Sequence, residues 1–307
     1  MSNISKIILV FFILFINKNS IFAQQESGLA LVDGKKMSYK TFNLDKRKEG
    51  EPVLVFEAGL GGGTFDPLLN FFPDAVSGIQ YERNGIGQSE KDSTIVSDAQ
   101  VVERLHNLLK ALGIKAPYLL VGHSIGGAYV RLFAAKYPDE VCGLVFSDPT
   151  DFMLTAVENK EAKLKSKSDT GYQEVFASIT RSMSENQSYE PGTRYDALRA
   201  LKAGYFVGYG DLPPLKSNIA ATVIISYNKN IEAPDEELNQ RLHLGINFKP
   251  WWKEYDNLRI QHYSELIKNN DHSMMVLLPK YSHGIYFQNP QLVAKLILDN
   301  YRSQVRK

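Results

Sequence analysis

The 307-residue chain is 44% apolar and carries 35 basic and 34 acidic side chains, a formal net charge of +1. That apolar content is sufficient for the core of one large domain or two small ones. The balanced charge argues against nucleic acid or an anionic membrane surface as a partner, and a single cysteine, Cys142, excludes an internal disulfide.

The first 23 residues have the layout of a secretory signal peptide. Lys6 precedes an apolar run over residues 7–16, and Ala23 supplies the small residue at which a signal peptidase cuts. The run is about half of the ~20 residues that a membrane-spanning helix needs, so an anchor is the less favoured interpretation. We therefore expect cleavage after Ala23, export to the periplasm or the medium, and no stable membrane anchor in the mature chain.

Strand and helix patterns alternate along the rest of the chain. Asp33-Gly34 between two strand-like runs predicts a hairpin, and Ser97 is a candidate N-cap. In chain order the patterns predict strands at 29–32, 36–42 and 53–56, a helix near 65–76, a strand at 79–81, a helix over 97–112, a strand at 118–121, a helix over 124–136, strands at 144–146, 223–225 and 274–278, and a last helix from Pro290. The predicted class is therefore α/β, a mostly parallel β-sheet flanked by helices.

Two segments interrupt this alternation. Residues 151–217 contain helical patterns without a clear core strand, and we expect them to form a helical cap insertion. Residues 228–272 are expected to form a helical excursion before the final strand. The expected organisation is a signal peptide at 1–23, a core made of 24–150 and 218–307, and the cap at 151–217.

The sequence Gly122-His123-Ser124-Ile125-Gly126 lies where a predicted strand becomes a predicted helix. In a parallel sheet this position is on the edge where ligands bind. The glycines permit a tight turn and close helix packing, and the N-terminus of the helix places a positive dipole beside the hydroxyl. A capping serine is the simpler interpretation, but the full five-residue pattern favours a nucleophile.

With this motif the chain resembles the α/β-hydrolase superfamily, whose nucleophile elbow GHSIGG matches. "YERNGIGQS" at 81–89 resembles another segment of the superfamily, with Glu82 in place of its aspartate. "GLVFSDP" at 143–149 resembles the strand after the elbow, and "YSHGIYFQNPQLVAKLI" at 281–297 the histidine loop and final helix. The resemblance covers nearly all of the chain outside the signal peptide, the cap and the excursion.

A serine hydroxyl needs a base within hydrogen-bonding reach, and the chain has six histidines. His283 follows the last predicted strand and precedes the last helix, on the same edge of the sheet as Ser124. The resemblance selects His283 as well. The other five are less favourably placed: His106, His123, His243, His262 and His272.

The carboxylate that would partner the histidine is less well determined. In the superfamily it commonly follows the strand that corresponds to 223–225, but Asn230 stands near that position, with Glu232 and Asp235 close by. The other known placement corresponds to Asp148, with Asp151 three residues later. We expect Asp148 to be the acid, with Glu232 as the main alternative, although an Asp-Pro pair also makes a good turn.

The resemblance implies an oxyanion hole formed by the backbone amides of Ile125 and Leu60. The expected reaction is hydrolysis of a carboxylic ester of a small molecule through an acyl-enzyme, with no cofactor, metal ion or nucleic acid involved. Serine at the elbow argues against the epoxide and halide chemistry of relatives that carry aspartate there. The alternatives are an aminopeptidase or amidase of the same fold, and a catalytically silent binding protein.

Aromatic and apolar residues of the cap segment admit two interpretations, a substrate pocket or the cap's own core. They are Phe152, Met153, Tyr172, Phe176, Tyr189, Tyr195, Tyr205, Phe206 and Tyr209.

Overall fold

The computed structural model describes residues 25–305, so the signal peptide predicted at 1–23 lies outside the described residues. The strands are β1 (Gln25–Val32), β2 (Lys35–Phe42), β3 (Val53–Glu57), β4 (Ser77–Tyr81), β5 (Tyr118–His123), β6 (Val141–Ser147), β7 (Ala220–Tyr227) and β8 (Met274–Pro279). The helices are α1 (Asp66–Leu69), α2 (Asp98–Ala111), α3 (Ile125–Lys136), α4 (Ala156–Ser166), α5 (Tyr172–Glu185), α6 (Pro191–Ala203), α7 (Ala233–Arg241), α8 (Phe248–Ile267), α9 (Ile285–Gln288) and α10 (Pro290–Val305).

The strands form one eight-stranded sheet in the order β1-β2-β4-β3-β5-β6-β7-β8. The hairpin β1–β2 is antiparallel and pairs antiparallel with β4, whereas every pair from β4 to β8 is parallel. The predicted mostly parallel sheet is thereby confirmed. Because the parallel strands share a direction, the loops after β3, β5, β6, β7 and β8 meet at one edge of the sheet.

The sheet is covered on both faces, as its continuous apolar strands require. Alternate residues of β3 point to opposite sides, so Val53 and Val55 join a cluster with α2 and α3. Leu54 and Phe56 join the other cluster, with α1, α9 and α10. This two-sided burial fixes the sheet register, because a shift of one residue would exchange the two faces.

The predicted helix near 65–76 is wrong in its extent, because α1 ends at Leu69. The next residues form tighter turns, in which the amides of Phe71 and Phe72 donate to the carbonyls of Leu68 and Leu69. Pro73 disfavours helical geometry at Phe72 and has no N–H to donate to Leu69, so a continuous helix cannot extend over 65–76. The helix predicted from Ser97 is confirmed: the Ser97 hydroxyl accepts from the Gln100 amide in a capping box.

Residues between β6 and β7 form α4, α5 and α6, and residues between β7 and β8 form α7 and α8. Helix α5 packs on α6, while α4 packs on α8, so the two insertions contact each other. A separate cluster of apolar side chains, which includes Leu154, Val175 and Trp251, holds them together. Within residues 25–305, no helix is both long enough and apolar enough to cross a bilayer.

Candidate active site

Ser124 stands between β5 and α3 with a backbone conformation that L-residues rarely adopt, φ 56° and ψ −124°. The neighbouring glycines make this turn possible. A Cβ on Gly122 would collide with the backbone of Gly126, and one on Gly126 would collide with the carbonyl of Glu57. The Ser124 side chain makes no capping hydrogen bond to α3. Strain is therefore held at a residue whose hydroxyl does no structural work at the helix terminus.

His283 and Asp148 come from the loops after β8 and β6, and the sheet brings them together. The His283 ring nitrogen Nδ1 lies 2.6 Å from Asp148 Oδ2. A hydrogen bond from Nδ1 to the carboxylate leaves Nε2 as the acceptor of the neutral ring. Ser124 and His283 line the same cavity.

The Asp148 carboxylate is completely buried and strongly held. Its Oδ1 accepts from the Ser226 amide at 2.9 Å, the Ser226 hydroxyl at 2.8 Å and Arg259 Nη1 at 3.1 Å. Burial opposes ionisation, but the charges of Arg259, Lys229 and His283 together hold the pKa of Asp148 well below its usual range. Asp148 is therefore a carboxylate at neutral pH.

The other candidate acids are placed differently. Asp151 Oδ2 lies 2.8 Å from His262 Nδ1, and Asp235 Oδ2 accepts from the Glu232 amide at 2.9 Å. Glu232 lines the cavity at the N-terminus of α7. Of these four acids in the described chain, Asp148 alone makes a hydrogen bond with His283.

The loop after β3 carries Leu60, expected to contribute to the oxyanion hole, and its neighbour Gly61. The Gly61 amide donates to Asp196 Oδ2 of α6 at 2.9 Å, and Gly61 has a positive φ of 78°. Leu60 lines the cavity, and its amide has no acceptor among the described residues. Ile125 is the first residue of α3, where amides have no acceptor within the helix.

Sequence reasoning missed a buried ionic cluster under this loop, formed by Glu57, Arg83, Asp196 and Arg199. Arg83 lies 2.6 Å from Glu57 Oε1 and 2.8 Å from Asp196 Oδ2, and it also donates to the carbonyls of Ala58 and Gly59. Burial raises the pKa of Glu57, whereas Arg83 and Arg199 outweigh burial and lower that of Asp196. The segment "YERNGIGQS" contains Arg83, but its partners are distant in sequence.

His123, the residue before the serine, fixes the histidine loop. Its Nε2 lies 3.0 Å from the His283 carbonyl oxygen, so the ring N–H donates to it. Burial and the nearby His283 lower the pKa of His123 to about 3. A ring that stays neutral can keep this hydrogen bond throughout the physiological pH range.

The cavity has a volume of about 760 Å³ and an apolar wall from the two insertions. Of the cap residues predicted for a pocket or a core, Tyr172 and Phe176 line this cavity, whereas Phe152, Phe206 and Tyr209 are buried in the core. Helix α8 adds Trp251 and Trp252, which the sequence interpretation had not assigned to a pocket. In the described part of the chain, no group of three or more His, Cys, Asp or Glu side chains is arranged to hold a metal ion.

Comparisons with known proteins agree on the fold. A family model described as the alpha/beta hydrolase fold matches residues 52–290. The uncharacterized protein YqjL of Bacillus subtilis is 38% identical over 111 residues, 35% of this chain and 44% of YqjL. The 2-(acetamidomethylene)succinate hydrolase of Mesorhizobium japonicum is 29% identical over 184 residues, 59% of this chain and 64% of that enzyme. This chain thus matches less than two thirds of the length of either relative.

Solved structures give the same result over more of the chain. MGS-M2, an alpha/beta hydrolase enzyme from a deep-sea metagenome library, has a TM-score of 0.59 and 20% identity, covering 90% of this chain and 97% of MGS-M2. At this identity the match shows a shared fold.

Proposed function

Because the chain belongs to the α/β-hydrolase fold family, we propose that it is a serine hydrolase that cleaves a carboxylic ester of a small molecule. The observation that carries this proposal is the 2.6 Å contact between His283 Nδ1 and Asp148 Oδ2, with His283 lining the same cavity as the strained Ser124. Family membership supports hydrolase chemistry, and the catalytic roles below belong to the proposal.

In the proposed reaction, the Ser124 hydroxyl oxygen attacks the ester carbonyl carbon while His283 Nε2 takes its proton. Asp148 stabilises the resulting imidazolium. The amides of Ile125 and Leu60 donate to the oxyanion, and collapse of the intermediate expels the alcohol, which receives the proton from His283. Water then attacks the acyl-enzyme with His283 as base, and the acid leaves as Ser124 regains its proton.

A panel of neutral p-nitrophenyl esters and the matching anilides tests this proposal, with protein that begins at Gln24. We expect ester turnover, with kcat lowered by about 10⁶-fold in Ser124→Ala. Faster cleavage of anilides than of esters would favour the amidase alternative. Equal turnover by wild type and Ser124→Ala would overturn the proposed nucleophile.

We also propose export of this protein, with residues 151–217 as a cap on the core. The support for export is the signal-like sequence at 1–23. Expression of the full chain in a bacterial host followed by N-terminal sequencing checks the proposal: a mature N-terminus at Gln24 in the periplasm or medium is expected. An intact Met1 on protein retained inside the cell would contradict it.

A further inference from the structure

Lys229, which follows β7, has a largely buried side chain whose ammonium group makes only a long contact with a carboxylate. Its side chain is 9% exposed, and Nζ lies 3.9 Å from the centroid of the Trp252 ring. The nearest carboxylate oxygen, Asp148 Oδ2, is 3.7 Å away, too far for a hydrogen bond. An ammonium has three N–H groups to donate, and among residues 25–305 its one paired carboxylate is this long contact with Asp148.

The carboxylates near Lys229 accept their short hydrogen bonds from other groups. Asp148 is bound through Arg259 and Ser226, and Asp256 Oδ1 is bound by Arg259 Nη2 at 2.8 Å. Burial raises the pKa of Asp256, so this acid is the less readily ionised of the two. Burial also lowers the pKa of Lys229, against the pull of Asp148. The Lys229 charge is therefore paired with Asp148, but the N–H groups of the ammonium lack a close acceptor.

Lys229 also lines the cavity that contains Ser124 and His283. Trp252 presents its aromatic face to the ammonium at 3.9 Å, and such a face attracts a cation but accepts no strong hydrogen bond. A substrate in the cavity can therefore approach the ammonium from the side that the protein leaves open.

We propose that Lys229 binds a carboxylate of the substrate, so that the preferred substrates are esters with an acidic group near the scissile bond. This inference rests on the proposed serine hydrolase function. Charge-assisted hydrogen bonds to a carboxylate would supply the acceptors that Nζ lacks, in a cavity where pairing of charges is stronger than in water.

Binding there also assists the proton transfer. Lys229 and His283 face the same oxygen of Asp148, at 3.7 Å and 2.6 Å. In the proposed reaction a positive charge develops on the His283 ring, and a substrate carboxylate bound to Lys229 would reduce the net positive charge around Asp148. The acidic group is thus expected to raise kcat as well as lower KM.

Other charged groups that line the cavity provide a control. Glu232 and Asp235 lie at the N-terminus of α7, and Lys280 lies after β8 with an exposed side chain. Lys280→Met removes one positive charge from the rim, as Lys229→Met removes one from the interior. A comparison of the two variants distinguishes a carboxylate-binding site at Lys229 from a general effect of positive charge in the cavity.

The experiment compares kcat/KM for p-nitrophenyl monoesters of dicarboxylic acids of increasing length with that for neutral acyl esters of equal length. A second pair, acetate esters of a carboxylated and a neutral phenol, moves the acidic group to the alcohol side. We expect wild type to prefer at least one acidic series by about 10- to 100-fold. The ratio should approach one in Lys229→Met, recover partly in Lys229→Arg, and change less than twofold in Lys280→Met.

The ratio is informative because an effect of Lys229 on Asp148 alone lowers turnover of acidic and neutral esters alike. Thermal unfolding identifies any variant that fails to fold, and Lys229→Arg retains the charge if Lys229→Met is lost. Neutral ester turnover without a preference for acidic esters, or a preference that survives in Lys229→Met, would overturn the inference alone. Absence of turnover on every ester in wild type would overturn the proposed function and the inference together.

Discussion

Two buried ionic clusters belong to the candidate site. One contacts the ring of a histidine, and the other contacts a backbone amide. The acid cluster contains Asp148, Asp256, Arg259 and Lys229, and it contacts the ring of His283. The loop cluster contains Glu57, Asp196, Arg83 and Arg199, and it ends on the backbone amide of Gly61. Each of these sets has two carboxylates and two cations, and Arg199 of the loop cluster also pairs with Asp98 at 2.9 Å.

The two clusters differ in the role of the group that each one contacts. In the proposed reaction the His283 ring changes charge, so any alteration of the acid cluster should appear in proton transfer. The Gly61 amide is neutral throughout, and the loop cluster need only hold the backbone in position. We therefore expect variants of the first cluster to affect catalysis most, and variants of the second to affect stability and the oxyanion site.

The largest effect is expected for Asp148→Asn. An amide cannot hold the imidazolium as a carboxylate does and can favour the wrong tautomer, so kcat for a neutral ester should fall by about 10⁴-fold. Glu232→Gln, the matched change at the alternative acid, should alter kcat by less than about threefold. Steady-state kinetics of the two variants show which residue is the catalytic acid. A larger loss of kcat in Glu232→Gln than in Asp148→Asn would assign that role to Glu232.

The second effect concerns stability. Arg83→Met removes the guanidinium between Glu57 and Asp196 and leaves two buried carboxylates without their main partner. The free energy of unfolding should fall by about 3–5 kcal/mol. Urea denaturation measures it, with Arg302→Met as the control, because Arg302 pairs with Asp299 at the surface and should contribute less than about 1 kcal/mol. Equal losses would mean that the buried position of Arg83 confers no special stability.

A smaller effect on turnover is expected for Asp196→Asn. The asparagine oxygen can still accept from the Gly61 amide, but the charge that attracts Arg83 and Arg199 is lost. Displacement of the loop should lower kcat by about tenfold, less than complete loss of an oxyanion donor. The acid limb of the pH–rate profile should not move, because His283 keeps its own partners; a shift of that limb would remove the distinction between the clusters.

The smallest effect is expected at His262, which belongs to neither cluster. Its ring lies 2.8 Å from Asp151 and 3.2 Å from Glu158, and these acids outweigh burial and raise its pKa to about 9. The stabilisation should be full below pH 6.5 and be lost as pH rises through 9. His262→Gln should therefore cost about 1 kcal/mol at pH 6 and little at pH 10, with ester turnover within twofold of wild type. Urea denaturation at both pH values checks this, and a cost independent of pH would contradict it.

Local patterns were sufficient to predict most of the fold. The Asp33-Gly34 turn, the Ser97 cap and the glycines around Ser124 act on their own neighbours, so their effect is readable from a few residues. The prediction of a helix near 65–76 was wrong in extent because an apolar pattern was followed across Pro73, which a continuous helix does not accommodate.

The contacts that organise the candidate site are the part that sequence could not provide. Arg259 reaches Asp148 across 111 positions, and Arg83 reaches Asp196 across 113. Such pairs depend on how α6 and α8 fold back over the sheet, and no local pattern encodes that. The same limit applies to Lys229 and Trp252, which read as ordinary residues of a polar loop and a helix.

The most direct test of the proposed nucleophile is reaction of the protein from Gln24 onward with a fluorophosphonate, measured by intact mass beside Ser124→Ala. Our interpretation predicts one adduct on wild type, located on Ser124 by peptide mass spectrometry, and none on the variant. A folded wild-type protein that acquires no adduct would contradict an activated serine and favour a catalytically silent binding protein.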